Sequence, residues 1–291
     1  MKIATAAYPL DILTSWAQYE DKLAGWVSTA AGNGANLLVF PEYAAMELAT
    51  LAGLDVAGNL EQSLFAVSDR LADADVLHQR LAAEYGVHIV AASGPAATDT
   101  RPVNRARLIT PAGKIGVQDK QIMTRFEREV WDVVGGNALQ VFDTALGKIG
   151  ILICYDSEFP LLGRALSECD IIAVPSVTEA LAGYWRVRIG SMARALENQC
   201  ITAMSSCVGP ADWSDALGLS FGAGGVFCPP DLGFPSTGVL AAGEINVPGW
   251  TYAEVDLAQV GRVRADGVVL NRNHWADQTG RDGTAINTSL L

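Results

Sequence analysis

Histidine is scarce in this chain: three residues in 291, His78, His88 and His274. They lie too far apart for the H-x-x-x-H or H-x-H spacings by which metal hydrolases gather their ligands. Five cysteines, Cys154, Cys169, Cys200, Cys207 and Cys228, form no C-x-x-C pair and are odd in number. Neither a thiolate zinc site nor a disulfide framework is indicated, and reduced thiols are expected. Basic residues are outnumbered, 20 Lys and Arg against 32 Asp and Glu, for a net charge of −12. Nowhere do they cluster with interleaved aromatics as a phosphate-tracking surface requires, so nucleic acid is not an expected partner. No apolar run approaches the length of a membrane span. Residues 1–9 are too short an apolar stretch for a signal peptide and read directly as a strand, so the expected location is cytoplasmic, away from membranes.

What is abundant is apolar residue: hydrophobic content is 50% and mean hydropathy +0.22. A chain of this length and composition buries an extensive core as one large domain or two small ones. Residues 15–31 place Trp16, Tyr19, Leu23, Trp26, Val27 and Ala30 on one stripe at helical spacing, with Thr14 or Ser15 available as cap. Residues 36–40 form a short continuous apolar strand of the kind buried on both faces. A second helical stretch covers 59–85 and a strand 87–92. Hairpin-like pairs follow, 105–110 with 116–119 and 139–142 with 148–154. Helix and strand then alternate at 161–168, 171–175, 185–198 and 201–206, with a further strand at 221–227. This order predicts an α/β protein of two packed sheets, each covered by helices on its outer face. From about Gly261 the chain turns polar, and an extended tail over 264–291 that packs on a partner subunit is expected.

Within that pattern Cys154 closes the apolar run 148–154 and opens the polar stretch Tyr155-Asp156-Ser157-Glu158. It therefore sits where a buried strand ends, ahead of a helix with Pro160 in its first turn, where the local field is expected to favour a thiolate. Cysteine is also commonly buried for packing alone, so its neighbours must decide. None of the histidines has a context suited to act as its base. A carboxylate serves instead if burial raises its pKa. Glu42 follows Leu37-Leu38-Val39-Phe40-Pro41 and stands to its strand as Cys154 stands to its own. Lys120 ends the strand 115–120. Thiol, carboxylate and ammonium, each just beyond a buried strand, make a coherent set of nucleophile, base and oxyanion stabiliser.

Phe40-Pro41-Glu42, Asp119-Lys120 and Ile153-Cys154-Tyr155-Asp156, in that order and at wide spacing, resemble the Glu-Lys-Cys triad of the carbon–nitrogen hydrolases, the nitrilase superfamily. Thr124, Glu127 and Trp131, then Val174-Pro175-Ser176 and Arg194-Ala195-Leu196-Glu197-Asn198, extend the match over roughly residues 2–263. The resemblance implies a four-layer α-β-β-α sandwich, a cofactor-free hydrolase without metal, a domain over 1–263, and a homodimer joined through helices next to the active site. It makes Glu127 a supporting acid, with Glu129 its local competitor, and the backbone N–H of Tyr155 an oxyanion donor. Tyr184, Trp185 and Arg186 fall where the family often builds substrate-side walls. The implied substrate is a small amide, N-carbamoyl compound or nitrile. Nitrile-hydrolysing members usually carry Cys-Trp-Glu, whereas Cys154-Tyr155-Asp156 is closer to the amidase-like branch, so amide or carbamoyl hydrolysis is the leading expectation and nitrile hydrolysis the alternative.

Two rivals remain. Gly218-Leu219-Ser220-Phe221-Gly222 satisfies G-x-S-x-G, with Asp256 and His274 in the order of a serine α/β-hydrolase, but the sequence around it does not read as strand then helix. A non-catalytic scaffold would have no need to keep Glu42, Lys120 and Cys154 together.

Overall fold

Strand β1 (Lys2–Pro9) lies at the middle of the sheet order, because Ile3 on one face and Ala4 and Ala6 on the other are all fully buried and so admit neighbours on both faces. The computed structural model describes residues 1–281. On one side of β1 run β2 (Leu37–Val39), β3 (His88–Ala96), β4 (Val103–Ile109) and β5 (Ile115–Asp119), the first two parallel and the last two antiparallel. On the other side the order passes through β9 (Ile201–Ala211) to β8 (Ile171–Ser176), β7 (Gly147–Ile151) and β6 (Val141–Thr144). β1 and β9 pair only over Ala7–Pro9 with Ser206–Val208. Lower down, β1 pairs with β13 (Gly249–Glu254) instead. The remaining strands, β10 (Gly218–Ser220), β11 (Gly225–Phe227) and β12 (Val239–Ala242), attach to β9 and to each other.

This narrow junction divides the strands into two half-sheets that pack face to face. Strand alternation feeds two cores: Leu38 and Ile89 enter the one under helices α1 (Trp16–Gly32) and α4 (Leu71–Tyr85), while Leu37, Val39 and Val90 meet Ile149, Ile151 and Ile172 in the other. Helix α7 (Leu181–Asn198) covers the second half-sheet with Val187 and Ala195 turned inward. The result is the expected four-layer α-β-β-α sandwich. Ser15 is the cap of α1, accepting from the Gln18 N–H.

Three segments depart from the sequence reading. Residues 59–85 form two helices, α3 (Leu60–Ser68) and α4, because α3 packs over β3 and the preceding turns while α4 lies beside α1. Ahead of them stand a 3-10 helix (Ala44–Ala52) and α2 (Leu54–Gly58), for which no periodic pattern gave warning. In the tail, α8 (Leu257–Asp266) runs through the boundary read at 263, and residues expected to be extended form short helical turns, α9 (Asn271–His274) and Trp275–Gln278. The tail is pinned by Arg264, which donates to the Cys169 carbonyl and pairs with Asp170, and by Gln199, which donates to the Val263 and Val269 carbonyls. Residues 282–291 of the expected tail lie outside the described residues. No helix among the described residues is long and apolar enough to cross a membrane.

Candidate active site

β2 delivers Glu42. The strand ends at Val39, and beyond Phe40-Pro41 the chain turns at Tyr43, held in the left-handed region at φ 54°, with the Glu42 carboxylate in the interior at 1% exposure. Its Oε1 accepts from Lys120 Nζ at 2.7 Å and from Asn104 Nδ2 at 3.0 Å, while Oε2 accepts from the Val177 N–H at 3.1 Å. Lys120 follows β5 and donates a second time, to Glu127 Oε2 at 2.6 Å. Glu127 is fixed by local sequence: Thr124 and Glu127 form a reciprocal capping box on α5 (Arg125–Glu129), and Tyr43 OH donates to Glu127 Oε1 at 2.8 Å. Glu129 instead pairs with Arg125 at the surface. Glu127 is thus the acid beside Lys120.

Cys154 begins a 3-10 turn (Cys154–Glu158) after β7, with its backbone in the left-handed region at φ 50°. A non-glycine residue there stores strain of order 1–3 kcal/mol, a feature common where geometry serves a site. Its Sγ lies 3.6 Å from the Val177 carbonyl, so Val177 at the end of β8 touches the thiol with its C=O and Glu42 with its N–H. The turn is tied to the Lys120 loop by Asp156, whose buried carboxylate accepts from the N–H groups of Gln121, Ile122 and Ile153. The Tyr155 N–H is among the first of the turn, a position with no partner within it.

Burial dominates the electrostatics. It pushes the Cys154 thiol well above its ordinary value, and the Glu42 carboxylate adds to this more than Lys120 offsets. The thiolate expected from the helix N-terminal field is therefore not favoured, since desolvation and an adjacent carboxylate outweigh a turn of only five residues. Burial also raises Glu42, against the opposing pull of Lys120. At Glu127 burial acts upward but Lys120 and its hydrogen bonds prevail, leaving it below its ordinary value. Lys120 is raised, because its two carboxylate partners overcome desolvation. The arrangement is a buried thiol whose proton is held tightly, a buried carboxyl near it, and an ammonium fixed between two acids.

A cavity of about 310 Å³ opens onto Cys154, Glu42, Lys120 and Glu127. Tyr43, Phe126 and Trp131 wall one side, and the α7 face bearing Ala182, Gly183, Arg186 and Val187 walls another. Arg186 therefore borders the cavity as expected. Tyr184 and Trp185 do not: one helical residue turns the side chain by about 100°, which sends Tyr184 into the core, where its hydroxyl accepts from Arg188, and leaves Trp185 on the outer face. Sequence reading missed Asn104 and Val177, and took Asp156 only as part of the Cys154-Tyr155-Asp156 motif, with no role of its own. Asn104 lay just before the strand read at 105–110, and Val177 acts through main-chain atoms that leave no residue signature.

The histidines are elsewhere. His78 is buried in α4, where desolvation brings it down to about 4, and His274 lies in α9 beside a separate surface groove. Ser220 ends β10, an antiparallel neighbour of β9, and a loop leads from it to β11. A nucleophile elbow needs a helix at that place. Asp256 is spent as the cap of α8.

The chain matches the family model for carbon-nitrogen hydrolases over residues 4–265. It is 30% identical over 276 residues to the probable hydrolase YhcX of Bacillus subtilis, covering 92% of this chain and 52% of that protein. It is also 30% identical over 146 residues to the omega-amidase YafV of Escherichia coli K12, covering 50% of this chain and 56% of that protein. The match thus spans about half the length of both curated relatives. Among solved structures, a carbon-nitrogen hydrolase from Helicobacter pylori G27 superposes with a TM-score of 0.77 at 18% identity, covering 97% of each chain, a likeness of fold.

Proposed function

The chain belongs to the carbon-nitrogen hydrolase family, and from that premise we propose that it hydrolyses an amide or N-carbamoyl bond through a thioester on Cys154. The observation that carries the reading is the convergence of Glu42, Lys120 and Cys154 on one cavity, with Val177 spanning the base and the thiol. Cys154 Sγ attacks the carbonyl carbon as Glu42 takes the thiol proton. The negative charge gathering on the carbonyl oxygen is met by Lys120 and the Tyr155 N–H. An ammonium has three donors, and two of those on Lys120 are committed to Glu42 and Glu127. Glu42 then passes its proton to nitrogen, the C–N bond breaks, and ammonia or an amine departs. Water attacks the thioester, giving its proton to Glu42 and then to the sulfur, and the carboxylic acid leaves. An oxyanion donor of this kind supplies about 3 kcal/mol, roughly a hundredfold in rate.

Tyr155-Asp156 after the cysteine supports amide over nitrile substrates, with nitrile hydrolysis the alternative for the same thiol. Measuring ammonia release across short amides, ω-amides, carbamoyl amino acids and nitriles identifies the substrate. Cys154→Ala is expected to abolish release, and wild-type release from that variant would overturn the assignment.

The same reading makes the protein a homodimer. On α7, outside the cavity lining, Leu181, Trp185, Ile189 and Leu196 leave an apolar stripe exposed at helical spacing, suited to a second copy. Residues 1–263 are proposed as the catalytic unit and 264–291 as a segment reaching the partner, in a cytoplasmic enzyme needing no cofactor.

A further inference from the structure

Beyond the reacting atoms, the charges of the cavity are unevenly paired. Lys120 is engaged by both Glu42 and Glu127. The other cation bordering the cavity is Arg186, and its Nε lies 3.5 Å from Glu158 Oε1. The guanidinium is 63% exposed while Glu158 is 22% exposed, so the acid, not the base, is the better anchored member. Glu179 also lines the cavity, and no ion pair among the described residues engages it. The lining therefore holds four carboxylates, Glu42, Glu127, Glu158 and Glu179, against Lys120 and Arg186. A substrate carboxylate arriving here would meet Glu158 and Glu179 on the same wall as Arg186, whose charge Glu158 already offsets in part.

We infer that this cavity selects amides whose acyl chain is uncharged or cationic and turns away the ω-amides of dicarboxylic acids. Glu158 and Glu179 are the residues that set the preference, the first by offsetting part of the Arg186 charge and both by direct repulsion. The inference rests on the proposed thioester chemistry at Cys154, and it separates this chain from what the name of its omega-amidase relative suggests. Size does not produce the selection, since a cavity of about 310 Å³ admits chains of equal length whatever their charge.

The test compares three amides of matched length, butyramide, succinamate and 4-aminobutyramide, by kcat/KM. Succinamate is expected to fall at least about tenfold below butyramide, with 4-aminobutyramide equal to or above it, and the gap to shrink with added salt. Glu158→Gln, which removes the acid beside Arg186, and Glu179→Gln should each raise the succinamate-to-butyramide ratio of kcat/KM severalfold. A second arm needs no turnover: alkylation of Cys154 by iodoacetate and by iodoacetamide in the full-length protein, each normalised to its rate with glutathione and located by peptide mass. The iodoacetamide-to-iodoacetate ratio should exceed that of glutathione at least about tenfold and relax in the two variants. Succinamate hydrolysed as well as butyramide, or a normalised ratio near one, overturns the inference. If all three amides are inert, the proposed reaction fails on these substrates while the alkylation ratio still decides the charge selection.

Discussion

At the scale of the residue, the site is organised around one carboxylate with three donors. Glu42 Oε1 is held by Lys120 and Asn104, and Oε2 is steadied by the Val177 N–H. Because burial raises Glu42, the ionised base fills only above the ordinary carboxylate range, and kcat/KM should fall as pH drops through that raised value. Asn104→Leu removes one donor from the charged form and so raises Glu42 further. Its acid limb should move to higher pH, by up to about one unit for a hydrogen bond of ordinary strength, with KM little changed; an unmoved limb would make Asn104 merely structural. Lys120→Met should do more than slow the reaction. It strands two buried acids, a cost of about 3–5 kcal/mol, which should lessen at pH 5, where protonation relieves the repulsion, as denaturant midpoints at pH 5 and 7 would show. Glu42 and Cys154 were legible because each follows a run of buried apolar residues; Lys120, expected beyond a buried strand, instead follows an edge strand whose Ile115 and Val117 are exposed. Asn104 was not legible, since an amide inside a strand looks the same in sequence whether it supports a base or another polar group.

At the scale of the element, the cysteine-bearing turn is set by what packs behind it. Gly190 on α7 faces that turn so closely that an added Cβ would lie 2.8 Å from the Ser157 carbonyl oxygen. Gly190→Ala should therefore push the turn from Val177 and Glu42, costing about 1–3 kcal/mol of stability and lowering kcat more than KM, which thermal melts and steady-state kinetics would measure together. Arg194 guards the same place by donating to the Ser157 carbonyl while bracing on Glu197. Local rules account for some of this: Thr124 and Glu127, read in the sequence only through the family resemblance, form a capping box. They failed where tertiary packing chose the outcome. The break between α3 and α4 has no glycine or proline to announce it, and residues 44–52, buried almost throughout, lack the polar face from which helical period is read.

At the scale of the whole molecule, two half-sheets meet over a few residues of β1 and β9, and the cavity opens where β2, β5, β7 and β8 end. Alternating helices and apolar strands foretold the layers, because strands buried on both faces require cover on each side. The pairing of β1 with both β13 and β9 was not foretold, since strand order depends on contacts between residues far apart in the chain. Ile189→Glu, placed within the apolar stripe of α7 and away from the cavity, should give a monomer in sedimentation at concentrations where the unaltered protein is dimeric. The account stands most directly on the covalent step. Acid-quenching a single turnover of the best amide and weighing the protein should show a mass gain equal to the acyl group, carried on the peptide containing Cys154 and decaying as the acid appears. Release of ammonia with no such adduct at any quench time, or an adduct on another residue, would contradict it.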